Sequence, residues 1–345
     1  MKQKPVLLLS LTWAIAAPAP GAPPPPAKEG APYNRDAAKK EFRRPDTIPF
    51  PDDNRYTRAR AELGKILFFD ARLSATGGIS CASCHRPQFS WTDSAATSVG
   101  APGMPLGRRS PTILNTAWSE TLFWDGRSPS LEEQAIGPIQ ADMEMNMPMD
   151  KVTSMLKGHP TYAKLFEQAY PKEPISGATI GKAIATFERT IVSGVAPFDE
   201  WILGDETAVS EPAKIGFDLF NTKALCVKCH SGWNFTDDSF HDLGFEEQDR
   251  GRGKLLPQIQ AAQFAFKTSS LRNIAQRAPY FHDGSLRTLE EVIDHYNDGP
   301  WLKRPSLAEE MRKLELTETE KRQLAEFLKT LTGADEPVAL PVLPN

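Results

Sequence analysis

The pentad Cys81-Ala82-Ser83-Cys84-His85 recurs once, as Cys226-Val227-Lys228-Cys229-His230, and the two copies use all four cysteines of the 345-residue chain. Two cysteines three apart, with a histidine directly after the second, fit the attachment site of a c-type haem. On one helical turn, positions i, i+3 and i+4 share a face. Both sulfurs can then bond one edge of a porphyrin while the imidazole reaches its iron. Other uses of cysteine pairs fit less well. A thioredoxin-like redox pair does not require the histidine, and a zinc centre needs four ligands close together. A disulfide within either pair would close a loop too short to stabilise much. The feature predicts two covalently bound haems, with His85 and His230 as iron ligands.

The length suits two domains, and two haem faces would supplement a hydrophobic content of 40%. Net charge is −4 and no basic stripe suggests nucleic acid. Met1-Lys2-Gln3-Lys4 precedes a mostly apolar run from Pro5 to Ala17, with small residues at Ala14-Ile15-Ala16. That is the pattern of a secretory signal peptide over 1–17. The run is too short to span a bilayer, and no later one reaches about 20 apolar residues. Export to the periplasm is expected, where oxidising conditions and covalent haem attachment coincide. Residues 18–45, including Pro23 to Pro26, read as a Pro-rich linker. An N-terminal haem domain is expected over 46–205, a C-terminal one over 206–335 and a tail over 336–345.

Helical spacing recurs through both units. Leu63, Ile66 and Leu67 predict a helix over 55–69, and a turn over 71–80 delivers Cys81. Residues 86–109 read as a long loop without a histidine, in which Met104 is the one obvious soft ligand. Ser130 opens a helix with Glu133 in a capping box; Gln134 then stands where a core residue is expected. The alternating Met143, Met145, Met147 and Met149 read as gap-filling core or a strand-like edge. Ile180, Ile184, Phe187 and Ile191 mark an amphipathic helix over 175–193, followed by a connection over 197–205. Residues 244–258 read as an exposed polar loop. Thr288 with Glu291 and Thr317 with Glu320 open two further helices. In the first of these, Leu289, Val292, Ile293 and Tyr296 share a buried face, and His295 points about 100° away. No strand signal appears, so the fold class is all-α.

These residues resemble the bacterial di-haem cytochrome c peroxidase/MauG family. The resemblance is carried by Leu63-Gly64-Lys65-Ile66-Leu67-Phe68-Phe69-Asp70, both haem motifs, Phe123-Trp124-Asp125-Gly126-Arg127, Glu133-Gln134-Ala135-Ile136-Gly137-Pro138 and Glu144-Met145. It continues in Leu271-Arg272-Asn273 and Ala278-Pro279-Tyr280-Phe281-His282-Asp283-Gly284. It implies two cytochrome c-like domains facing each other, each with one haem c. By the same resemblance the first haem is the peroxide site, with Gln134 and Glu144 in its distal pocket and Trp124 between the haems. Arg109 stands where many relatives carry an asparagine ligand for an inter-domain calcium, which leaves calcium an open question. Backbone carbonyls near Arg277 and Pro279 could still contribute to such a site.

A carboxylate such as Glu144 suits peroxide cleavage because it can move a proton from one oxygen to the other. With no histidine in the 86–109 loop, the first iron is expected to be open. At the second haem, ordinary peroxidases of the family place methionine where this chain has Tyr296, and the MauG-like branch places tyrosine. Tyr296 is therefore the candidate second ligand there, with His295 and Met311 as weaker rivals. One branch of the family draws electrons through a surface tryptophan two residues before its second motif; Ala224 stands there, so that route is not expected. His282 reads either as part of the electron path near haem propionates or as a structural hydrogen-bonding residue.

The function expected is a peroxidase reducing hydrogen peroxide with electrons from a small cytochrome c or cupredoxin, or oxidising a protein substrate. A non-enzymatic di-haem electron carrier is the alternative. Monomer and homodimer are both compatible with the sequence.

Overall fold

A computed structural model describes residues 33–345, so the expected leader and the first part of the Pro-rich stretch lie outside the described residues. Eleven α-helices carry the described chain: α1 Arg35–Glu41, α2 Arg58–Phe69, α3 Cys81–Cys84, α4 Leu131–Gln140, α5 Met149–Gly158, α6 Pro160–Ala169, α7 Gly177–Arg189, α8 Pro197–Ile202, α9 Glu211–Asn221, α10 Leu289–Asp298 and α11 Glu318–Lys329. Among the described residues sheet is confined to one antiparallel pair, β1 Phe240–His241 with β2 Phe266–Lys267. That pair is a small departure from the all-α expectation.

The apolar residues gather into two main clusters. The first joins Leu63, Leu67 and Phe68 of α2 to Ile180, Ile184 and Phe187 of α7, with Trp91 and Tyr162. The second joins Phe217 and Phe220 of α9 to Leu324, Phe327 and Leu328 of α11, with Phe198, Trp201 and Phe235. In each, two helices cross at a glycine. A Cβ on Gly64 would sit 1.9 Å from the Ala183 carbonyl oxygen, and one on Gly216 would sit 2.0 Å from that of Gln323. Only a residue without a side chain lets the paired backbones approach so closely.

The likeness between the halves extends well beyond the haem motifs. Asn115 and Asn273, Phe123 and Phe281, and Ser130 and Thr288 all stand 158 positions apart. Both asparagines have left-handed backbone (φ 61° and 57°), as do both phenylalanines (φ 68° and 69°) and the glycines three residues after them (Gly126 φ 68°, Gly284 φ 67°). Leu122 bridges Ser128 and Tyr280 bridges Leu286, closing the same turn in each half. The turns then lead into α4 and α10, which begin and end at the same 158-residue offset. The two halves are one structural unit built twice.

Several boundaries differ from the sequence expectations. The stretch read as linker to residue 45 contains α1, capped by the Asn34 side chain, and Phe42 after it is 1% exposed. Phe42 packs on Phe198, Phe217 and Phe235, so this N-terminal piece belongs to the second cluster. The connection expected over 197–205 includes α8, whose Phe198 and Trp201 also join the second cluster, so that cluster begins before residue 206. Helices α5 and α6 were not anticipated, although Val152 with Leu156 and Tyr162 with Phe166 supply buried i, i+4 pairs. The methionine run is no strand edge: Met145 is buried in the first core, Met143 is exposed and Met149 opens α5. Residues 244–258 are partly structural, because Phe245 is buried.

Truncating Phe42 to alanine removes a fully buried ring that holds the N-terminal segment on the second cluster. The expected cost is about 3–5 kcal/mol in a denaturant unfolding experiment; an unchanged midpoint would show that the segment contributes nothing to the fold.

Candidate functional site

Each haem motif presents its histidine in the same way. In the first, α3 is a single α-turn and His85 follows it; in the second, Cys226–Lys228 forms a 3-10 turn. No disulfide joins any of the four cysteines. The His85 Nδ1–H donates to the Trp91 carbonyl at 3.2 Å, and the His230 Nδ1–H donates to the Phe235 carbonyl at 2.9 Å. A donor bond at Nδ1 fixes the tautomer and leaves the Nε2 lone pair free for a metal. Burial pushes both imidazoles below their ordinary range, which keeps them neutral. Trp91 and Phe235 both have left-handed backbone, φ 61° and 54°. Bulky residues pay for that conformation, and here each ring is locked in its hydrophobic cluster. The carbonyls face the histidines because packing overrules local preference.

His85 faces a cleft lined by Pro111, Trp124, Gln134, Pro138 and Glu144, and Cys81 and Cys84 border its inner end with Glu188. Among the residues lining this region, His85 is the sole histidine. Met104 is 53% exposed and does not line it. The loop over 86–109 is pinned to the Glu144 segment by the bond from the Ala101 amide to the Glu144 carbonyl, 2.6 Å. Gly100 makes that approach feasible, since a Cβ there would sit 1.7 Å from the Met143 carbonyl oxygen. Burial pushes the Glu144 carboxyl up, opposed only weakly by Arg127.

Cys226, Cys229, His230, Tyr296 and Met311 line a second, more apolar cavity. It encloses about 1700 Å³ continuous with solvent, as does the first cleft. Burial pushes the Tyr296 hydroxyl well above the usual phenol range. His295 is absent from the lining and stacks on Phe245 instead, ring centroids 4.4 Å apart. The Nε atoms of Arg109 and Arg277, both lining this cavity, are buried without a partner. Guanidinium groups that keep an unpaired Nε–H in a largely apolar cavity fit an anionic group such as a haem propionate.

Trp124 and Arg109 line both cavities. The Trp124 Nε1–H donates to the Arg109 carbonyl at 2.8 Å, which fixes the indole between them. His282, the counterpart of Trp124 at the 158-residue offset, packs edge-on against it at 6.3 Å. His282 also pairs with Glu247 at 2.7 Å and stacks on Phe266 at 3.6 Å, so it is both a structural residue and part of the cavity wall. Arg109 Nη2 donates to the carbonyls of Asp93 and Arg277 at 3.0 Å and of Ala278 at 3.4 Å.

The comparisons agree with this geometry. A family model described as di-haem cytochrome c peroxidase matches residues 58–207. The chain is 51% identical over 311 residues to the methylamine utilization protein MauG of Methylorubrum extorquens, covering 89% of this chain and 88% of that protein. It belongs to the di-haem cytochrome c peroxidase family. The cytochrome c551 peroxidase of Nitrosomonas europaea is 36% identical, over 82% of this chain and 83% of its own length. A crystal structure of a MauG-like protein associated with microbial copper homeostasis aligns with TM-score 0.76 and 32% identity, covering 84% of this chain and 94% of that one. Membership of this family implies haem c, and the two cavities carry the donor sets it requires.

Sequence reasoning missed Glu188. It lies on the buried side of α7 next to Phe187, and its carboxyl borders the first cavity with Oε2 unpaired. Its signal was a charged residue eight positions after Ile180, on an otherwise apolar face. Burial raises its pKa from 4.5 to about 8. A carboxyl whose folded pKa is raised stays neutral in the fold and costs stability as pH climbs from 4.5 towards 8. A Glu188→Gln protein is therefore expected to gain thermal stability over the parent progressively between pH 5 and 8, the gap levelling above that. A gap independent of pH would mean that Glu188 ionises freely.

Proposed function

We propose that the chain is a periplasmic di-haem peroxidase: it reduces hydrogen peroxide at the His85 haem and draws electrons, from a small redox protein or a protein substrate, by way of the His230 haem. The observation that carries this reading is the difference between the two copies of one unit. At the 158-residue offset Tyr296 of α10 corresponds to Pro138 of α4, and each lines the cavity of its own half. Proline offers no ligand atom, so a haem held by His85 would keep a coordination position for a small substrate. Tyrosine offers a phenol oxygen, a hard donor that favours the oxidised metal. Met311 lines the same cavity and is the rival ligand, but it lies outside α10.

Cys81 and Cys84 would tether the first haem with His85 on its iron, and Cys226, Cys229 and His230 the second. Haem iron, when bound, supplies an open coordination position and electrons for cleaving the O–O bond. The chain's own part is to handle the proton. A Glu144 carboxylate oxygen takes it from one peroxide oxygen and returns it to the other, which leaves as water. Gln134, an uncharged donor and acceptor lining the same cavity, orients the peroxide. Trp124 lines both cavities, which suits an electron relay between them. The Nδ1 bonds of His85 and His230 hold each imidazole in place and raise its basicity.

A non-enzymatic electron carrier is disfavoured, because it gains nothing from two polar side chains set in an open pocket. Arg109 places a fixed positive charge against three backbone carbonyls where relatives were expected to bind calcium. A tethered guanidinium meeting those carbonyls makes a metal ion there unnecessary. No helix among the described residues is long and apolar enough to cross a membrane, which accords with an exported protein led by residues 1–17.

Glu144 acts as a base only when ionised, and burial raises its pKa. The rate of the peroxide reaction is therefore expected to fall as pH drops through that raised value. Glu144→Gln should slow the reaction by about 10²–10⁴-fold and abolish this acid limb, as read by stopped-flow mixing with peroxide. A variant with the parent rate and pH profile would remove Glu144 from the mechanism.

A further inference from the structure

Six tryptophans lie among the described residues, and Trp301 alone is exposed, at 51%. Its ring is not isolated. It packs edge-on against His295 at 4.8 Å and against Phe245 at 5.0 Å. His295 in turn lies 5.7 Å from Tyr296, and Phe245 lies 4.5 Å from Phe281, which is 6.2 Å from Tyr296. Two short chains of neighbouring rings thus run from the surface to Tyr296, which lines the second cavity together with His230. We propose that Trp301 is the residue through which a protein-borne one-electron donor feeds the second haem site.

The proposal rests on the peroxidase reading. Hydrogen peroxide accepts two electrons and two protons to give two waters, so two single electrons must reach the interior per turnover. A protein donor cannot enter either cavity, and electron tunnelling weakens exponentially with distance. A surface indole in ring-to-ring contact with the interior shortens that distance. Tryptophan is, with tyrosine, among the most readily oxidised side chains. When an electron leaves Trp301 for the Tyr296 side, the donor refills the vacancy, and no net chemistry remains on the indole.

His295 supports the assignment independently. It is 3% exposed, and neither ring nitrogen makes a well-formed hydrogen bond, although the Leu243 backbone lies near one of them. An unsatisfied buried polar group costs about 1–3 kcal/mol, which an aliphatic residue at this position would avoid. What the imidazole does here is stack flat on Phe245 and bridge Trp301 to Tyr296. An unpaired buried group calls for such an explanation.

The test begins with holoprotein mixed with hydrogen peroxide and no donor, followed by peptide mass spectrometry. Without a donor, the two vacancies left by one peroxide can both be filled from the indole, water adds to the oxidised ring with loss of two protons, and this oxygen addition should concentrate on Trp301 among the six tryptophans. The exposed Met104 and Met143 report direct oxidation by peroxide and serve as internal reference. In a second arm, Trp301→Phe holoprotein should show the parent's peroxide-driven change in haem absorbance. Its electron uptake from a reduced small cytochrome should be slower by on the order of tenfold or more. Oxidation at Trp118 or Trp233 with Trp301 untouched would overturn the proposal, as would a Trp301→Phe protein taking electrons at the parent rate. A holoprotein whose haem absorbance does not respond to peroxide would overturn the peroxidase reading and, with it, this one.

Discussion

Everything in this molecule turns on a single kind of hydrogen bond made twice: a histidine Nδ1–H donating to the carbonyl of a bulky aromatic residue five or six positions later. His85 with Trp91 and His230 with Phe235 make it at 3.2 and 2.9 Å. The acceptor residue is held in left-handed backbone in both cases, a conformation that large side chains avoid. The strain is borne by burial of the Trp91 and Phe235 rings in separate cores, each built around a helix pair crossing at a glycine. The cores exist, in this view, to aim two imidazoles.

Duplication supplies the frame, and departures from it supply the function. Trp124 and His282 occupy equivalent positions and meet edge-on at 6.3 Å where the halves face each other. Pro138 and Tyr296 occupy equivalent positions in the walls of the two histidine-bearing cavities, one without a ligand atom and one with a phenol. Gln134 corresponds to Val292. One half therefore carries Gln134 and Glu144 in its cleft, and the other carries a more apolar cavity in which Tyr296 sets a buried phenol. A fixed guanidinium, Arg109, bonds carbonyls from both sides of the seam and lines both cavities.

Much of this was legible in the sequence. The haem motifs have no economical alternative use, and the capping boxes at Thr288 and Thr317 form as their spacing indicates. Gln134 and Tyr296 stood out because each breaks or fills an apolar helical face. What stayed hidden depends on contacts between distant segments. Phe42 looked like part of a linker because its partners, Phe198, Phe217 and Phe235, lie more than 150 residues away. Residues 244–258 looked exposed because nothing local reveals that Phe245 and Glu247 close on His282 and His295. Glu144 could not have been separated from an ordinary loop acid without its family resemblance, since its burial arises from the neighbouring loop pinned at Gly100.

The central proposal is that two copies of one unit would hold two unlike irons, one left open and one closed by Tyr296. Electron paramagnetic resonance of the oxidised holoprotein tests it most directly. The account requires two distinct ferric signals: a high-spin one from the His85 site, and another, altered in Tyr296→Phe, from the His230 site. Two low-spin signals that both survive the Tyr296→Phe substitution unchanged would contradict it.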